Sequence, residues 1–135
     1  MVGTVISSNS YINLQAALND HLQAYGNPRV TKVSLSATSV GSSSHFCNLV
    51  AGMVYEDSSP TDNRNFIRVY EMTFGGANFP QIIEELEMEE LTFHNMAVAT
   101  TTTTTFGGQT TKNFVLLVCT KKDRVTSPWK KKIPD

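Results

Sequence analysis

Five side chains in this 135-residue sequence are suited to metal coordination or nucleophilic catalysis, three histidines and two cysteines: His21, His45, His94, Cys47 and Cys119. One residue separates His45 from Cys47, so an extended chain would place both side chains on the same side. A structural zinc site needs about four ligands, and the sequence has no Cys-x-x-Cys pair to complete one. A Cys–His dyad would have to be assembled by the fold. We therefore predict no metal site, no cofactor and no catalytic residue.

The cysteines and the N-terminal residues bear on the cellular compartment. Two cysteines do not make a disulfide framework, and Cys119 lies in an apolar stretch that predicts a buried, unreactive thiol. Residues 1–6 show no basic segment followed by a long apolar one, and no apolar run approaches about 18 residues. We expect reduced core thiols in a cytoplasmic protein with no signal peptide and no membrane-spanning segment.

Small and polar residues precede both predicted helices. Backbone N–H groups at a helix N-terminus, together with the helix dipole, favour anions, so each connection is a candidate phosphate or other anion site. Turn formation and helix capping explain the same residue types without a ligand. The candidate anion-binding or ligand-binding residues are Ser8, Ser10, Gly75, Gly76 and Asn78.

The C-terminal residues 121–135 form a basic tail on an acidic body. The tail has six basic and two acidic side chains, a net charge of +4, whereas the rest has five basic and ten acidic, a net charge of −5. An aromatic ring among lysines can stack on a base while the lysines neutralise phosphates. The same composition suits a tail that docks on its own protein. The candidate nucleic-acid-binding or partner-binding residues are Lys121, Lys122, Arg124, Trp129, Lys130, Lys131 and Lys132.

The order of elements repeats along the chain. When residues 33–54 are moved forward by 62 to 65 positions, their apolar pattern falls on a similar pattern in residues 95–118. Each repeat contains a strand, a helix and two further strands. Capping residues precede each helix, and Gly and Pro lie near its ends. We assign pseudo-repeats to about 1–57 and 64–120, within a single domain of residues 1–120. The predicted fold is α+β, with about six strands in one mostly antiparallel sheet and two helices on one face.

Two strands are apolar at nearly every position, the runs at 49–54 and 114–118. Such runs are expected where both faces of a strand are covered, and two short helices on one face would leave the other bare. We expect a second copy of the protein to cover it, with the Trp129 tail as the alternative. The predicted self-association residues are Leu49, Val50, Met53, Val115 and Leu117.

These observations favour a non-enzymatic, self-associating structural or binding protein, and we expect a homo-oligomer. The size, the Ser/Thr-rich strands and the charged tail suit a structural or accessory component of a virus or phage. Two alternatives remain: a nucleic-acid-binding module that uses the tail and a sheet face, and a binder of small anions at the helix N-termini. The β-α-β-β order is too general to indicate a family.

Overall fold

The computed structural model describes residues 2–39, 47–56, 65–105 and 107–121. It confirms the α+β class and the β-α-β-β order in each half of the chain. A short 3-10 turn, Phe74–Gly76, precedes the second helix. The elements are β1 (Val2–Ser8), α1 (Tyr11–Ala24), β2 (Val30–Ser39), β3 (Cys47–Tyr55), β4 (Phe66–Met72), α2 (Phe79–Met88), β5 (Leu91–Thr105) and β6 (Gly108–Lys121).

The ends of α1 follow from the local sequence. Ser10 is the N-cap, with an extended backbone, and its Oγ accepts a hydrogen bond from the Asn13 N–H at 3.3 Å. Gly26 follows the helix with a φ of 79°, in the left-handed region that glycine adopts most easily. Between these ends Leu14, Leu18 and Leu22 recur every four residues and are fully buried, so α1 packs along one apolar stripe.

The six strands form two three-stranded antiparallel sheets, with the orders β1-β3-β2 and β4-β6-β5. This corrects the predicted single sheet. The edge strands β2 and β5 nevertheless lie side by side: their Cα atoms approach within 8 Å, closer than the roughly 10 Å between sheets packed face to face. Both strands carry a register shift near this junction, between Val30 and Lys32 and between Phe93 and Asn95. A bulge bends its strand, so both edge strands depart from a regular ladder near this junction.

The main core lies between α1 and the inner faces of both sheets. Leu14, Leu18 and Leu22 of α1 meet alternate residues of β3 and of β6. The helix also covers the free edge of β4: the Asn19 amide donates to the Ile67 carbonyl at 2.9 Å and accepts from the Ile67 N–H at 2.7 Å. Residues of both halves of the chain therefore share this core.

A second core lies on the other face of the β4-β6-β5 sheet, under α2. Ile82 and Leu86 of this helix pack against Val115, Leu117 and Cys119 of β6. The two helices therefore lie on opposite faces of β6, which corrects the prediction that both cover one face. Successive residues of β6 from Phe114 to Cys119 alternate between the two cores, and this explains why the strand is apolar at every position in that stretch. Neither described helix has the length and apolarity needed to cross a membrane.

Candidate functional site

The residues predicted to mediate self-association lie mainly inside the protein. Leu49, Met53, Val115 and Leu117 expose 2% of their surface or less. They pack in the two cores, so they are not available to a second copy, and these four assignments are corrected. Val50 points the other way from β3 and is half-buried on the outer face of the first sheet.

That outer face is the first candidate site, and we call it the valine face: Gly3, Val5, Val50, Gly52 and Val54. Val5 is 72% exposed and pairs across strands with Gly52, while Gly3 pairs with Val54. The two glycines leave a shallow groove of about 490 Å³. A Cβ on Gly52 would lie 2.8 Å from the Ser34 Oγ, so a larger residue here would make the Ser34 side chain shift.

Both described helices pack elsewhere, so no helix covers the valine face in the described part of the chain. The polar border of the face is on β2, where Lys32 pairs with Val54 and Ser36 with Val50. The face thus has an apolar centre with a hydroxyl-rich and basic margin. Apolar centres with polar rims are typical of interaction surfaces.

The second candidate site is a polar cleft of about 530 Å³ where β2 of one sheet meets β5 of the other. Four separate chain segments form its walls. The cleft is anchored by two amides: the Asn95 Nδ2 donates to the Thr31 carbonyl at 3.1 Å, and the Asn65 Oδ1 accepts from the Val30 N–H at 2.7 Å. We call this site the junction cleft. Its lining residues are Arg29, Val30, Thr31, Asn65, His94, Asn95 and Thr120.

The junction cleft is a basic environment. Arg29 and His94 both line it, and none of its described lining residues is acidic. Partial burial lowers the pKa of His94 below its ordinary value, and the nearby Arg29 charge lowers it further. At neutral pH the imidazole is therefore uncharged, and Arg29 supplies the positive charge of the cleft.

Sequence reasoning missed this cleft because its walls come from four distant segments. One signal was present. Thr31 and Asn95 are 64 residues apart, which falls within the offset of the internal repeat, so corresponding segments of the two repeats meet here. A site at the boundary between repeats could have been expected from that correspondence.

The predicted anion sites at the helix N-termini show the contacts of turns and caps. The Ser8 Oγ accepts from the Ser10 N–H at 3.4 Å, and Ser10 itself caps α1. Asn78 occupies the N-cap position of α2 without a side-chain cap; its Oδ1 instead accepts from the Thr73 N–H at 2.8 Å. Gly75 and Gly76 take φ values of 63° and 80° in the same turn. These hydrogen bonds account for the residue types without a ligand.

The two described histidines and the two cysteines are not brought together into a site. Both cysteines are buried and unpaired, and burial raises the pKa of Cys119 to about 11. The Nε2 of His21 is 2.6 Å from the Tyr55 hydroxyl, in a small aromatic cluster with Tyr25. Among the described residues no three metal-binding side chains converge. His45 lies outside the described residues.

The basic tail is represented in the structure by its first residue. Lys121 ends β6 and is exposed. The other predicted nucleic-acid-binding or partner-binding residues lie outside the described residues: Lys122, Arg124, Trp129, Lys130, Lys131 and Lys132.

Comparison with known proteins does not assign this fold to a family. No protein-family model matches the chain, and no curated protein or solved structure is significantly similar to it. Function is therefore inferred from the two sites described above.

Proposed function

We propose that this chain is a non-enzymatic protein that self-associates by packing its valine face against the valine face of a second copy. The observation that carries the proposal is the exposure of Val5, which is 72% accessible on β1, the edge strand of this face. Val50 and Val54 flank it on the neighbouring strand. Burial of the exposed Val5 side chain and its neighbouring valines in an interface would remove their apolar surface from water.

The shape of the valine face favours a second copy as its occupant. A symmetric dimer uses the same patch on both subunits, so the patch must be self-complementary. Here a projecting side chain, Val5, lies beside a groove created by Gly52 and Gly3. Two such faces can interlock as sheets do in a sandwich, about 10 Å apart. Lys32 lies at the margin, where its ammonium group stays in water.

The proposal no longer depends on β6, because both faces of that strand are covered within the subunit. It depends on the first sheet, whose inner face alone is covered by the described elements. The predicted homo-oligomer is therefore retained with a different contact surface, in which Val50 is the one residue shared with the sequence-based prediction.

A pair of matched variants tests the proposal. Val5→Lys places a charge on the valine face, whereas Val98→Lys places the same charge on another exposed strand position, 50% accessible, in the second sheet. Light scattering at roughly tens of micromolar should give a dimer for the wild type and for Val98→Lys, and a monomer for Val5→Lys. Equal effects of the two variants, or a wild type that is monomeric, would overturn the proposal.

A further inference from the structure

The junction cleft carries an inference that is independent of self-association. We propose that it binds a small oxyanion, the chemistry of a phosphate or carboxylate group, between the Arg29 guanidinium and the His94 imidazole.

Most polar groups in the cleft walls are occupied by the fold. The Thr31 hydroxyl donates to the Val54 carbonyl at 3.0 Å, and the Thr120 hydroxyl is 3.0 Å from that of Thr92. The amides of Asn65 and Asn95 hold the backbone of β2, as described above. These contacts make the walls rigid, and they leave the two basic side chains as the groups that face the cleft.

Arg29 is well suited to an anion. Within the described part of the chain its guanidinium has no ion-pair partner, although guanidinium groups bind carboxylates and phosphates with two parallel hydrogen bonds. One acidic residue, Glu56, is hydrogen-bonded to Arg29 through the backbone: its N–H donates to the Arg29 carbonyl at 3.1 Å. Its side chain is not part of the cleft lining.

His94 gives the site a pH dependence. Arg29 is the charged group that faces it among the described lining residues, and the neutral Thr31, Asn65 and Thr120 supply the other walls. Arg29 disfavours the imidazolium in the free protein. A bound anion reverses this effect, because it attracts a proton to His94. Affinity should therefore increase as the pH falls from about 8 to about 6.

Calorimetric titration of the full chain with sulfate and with acetate tests the proposal, because sulfate does not titrate in this range and acetate represents a carboxylate. Sodium chloride at the same ionic strength is the control for screening. We expect saturable binding of one or both oxyanions. Tighter binding of sulfate would indicate that the site prefers phosphate-like ligands, and tighter binding of acetate would indicate that it prefers carboxylates.

Three variants locate the binding site. Arg29→Gln should weaken binding at least tenfold. Lys32→Gln removes an exposed cation three residues away and should leave binding unchanged. His94→Gln should retain binding at about pH 8 but lose its increase at lower pH. All three positions are exposed, so the fold should be retained, and circular dichroism would verify it.

No saturable binding of either anion, or equal losses in Arg29→Gln and Lys32→Gln, would overturn the proposal. If Arg29→Gln fails to fold, Arg29→Lys replaces it in the test. Lysine keeps the positive charge but loses the bidentate geometry, so its affinity should be lower. An affinity equal to that of the wild type would contradict the proposed contact. The oligomeric state measured alongside distinguishes failure of this site from failure of the valine face.

Discussion

Leu116 and Leu117 are neighbours in β6, and both are completely buried, yet they belong to different cores. Leu116 faces α1 and the first sheet, and Leu117 faces α2. An uninterrupted apolar run in a sequence therefore indicates that both faces of a strand are covered, but it does not indicate which elements cover them. At the residue scale this distinction excludes the buried Leu117 from the proposed contact surface and leaves the exposed Val5 as its candidate.

Truncation of Leu117 tests its place in the monomer core. We expect Leu117→Ala to lower the free energy of unfolding by about 2–5 kcal/mol, because it leaves a cavity under α2. Val98→Ala, at an exposed position of the neighbouring strand, should change it by less than about 0.5 kcal/mol. Urea unfolding of both variants at low protein concentration supplies the comparison. A loss that appears only at concentrations where the protein associates would place Leu117 in an interface instead.

The Cys119 thiol provides a chemical test of the same core. Because burial raises its pKa to about 11, almost none of it is thiolate at about pH 8, where an ordinary cysteine is partly ionised. In the variant Cys47→Ala, which isolates this thiol, a disulfide reagent should react slowly at pH 8 and rapidly in denaturant. The native rate should rise only as the pH approaches the raised pKa. Fast reaction of the native protein would contradict burial under α2.

At the scale of elements, α1 has two functions: its apolar stripe fills the core, and its polar side chains close the edge of β4. The Gln15 Oε1 accepts from the Val69 N–H at 2.8 Å, and Asn19 binds both backbone groups of Ile67. Free strand edges are templates for pairing with other chains. This contact therefore removes the β4 edge from the surfaces that could pair with another chain.

Asn19→Ala should destabilise the protein by about 1–3 kcal/mol, because it leaves the N–H and carbonyl of Ile67 without their partner. Asn13→Ala, on an exposed position of the same helix, is the matched control and should be close to neutral. Thermal unfolding measures the first effect. Increased aggregation of Asn19→Ala alone would show that the edge has been opened, and identical behaviour of the two variants would contradict the role given to Asn19.

The bounds of the elements could be predicted from sequence to a large extent, because their signals are local. Ser10 caps α1, Gly26 ends it, and Pro80 lies in the first turn of α2, as their residue types indicate. The faces that the helices cover could not be predicted, since a strand such as β6 is apolar on both sides. The repeat offset gave a signal for a site between the repeats, but its lining residues could not be predicted, because Arg29 and His94 meet only through the packing of β2 beside β5.

At the scale of the whole molecule, the two repeats have different environments. The second sheet lies between the main core and α2, so both of its faces are covered around β6. The first sheet has its inner face in the main core, while its outer face, with Val5 at 72% exposure, is the valine face. The same order of elements thus gives one sheet whose central strand is covered on both faces within the subunit, and one whose outer face we propose is covered by a second subunit.

Sedimentation equilibrium of the wild-type protein over a range of micromolar concentrations tests that central claim most directly. Packing of two valine faces predicts a reversible increase in mass from the 14.9 kDa of one chain toward twice that value, without higher species, because a two-fold interface closes on itself. A single species of 14.9 kDa throughout the range, up to roughly tens of micromolar, would contradict it.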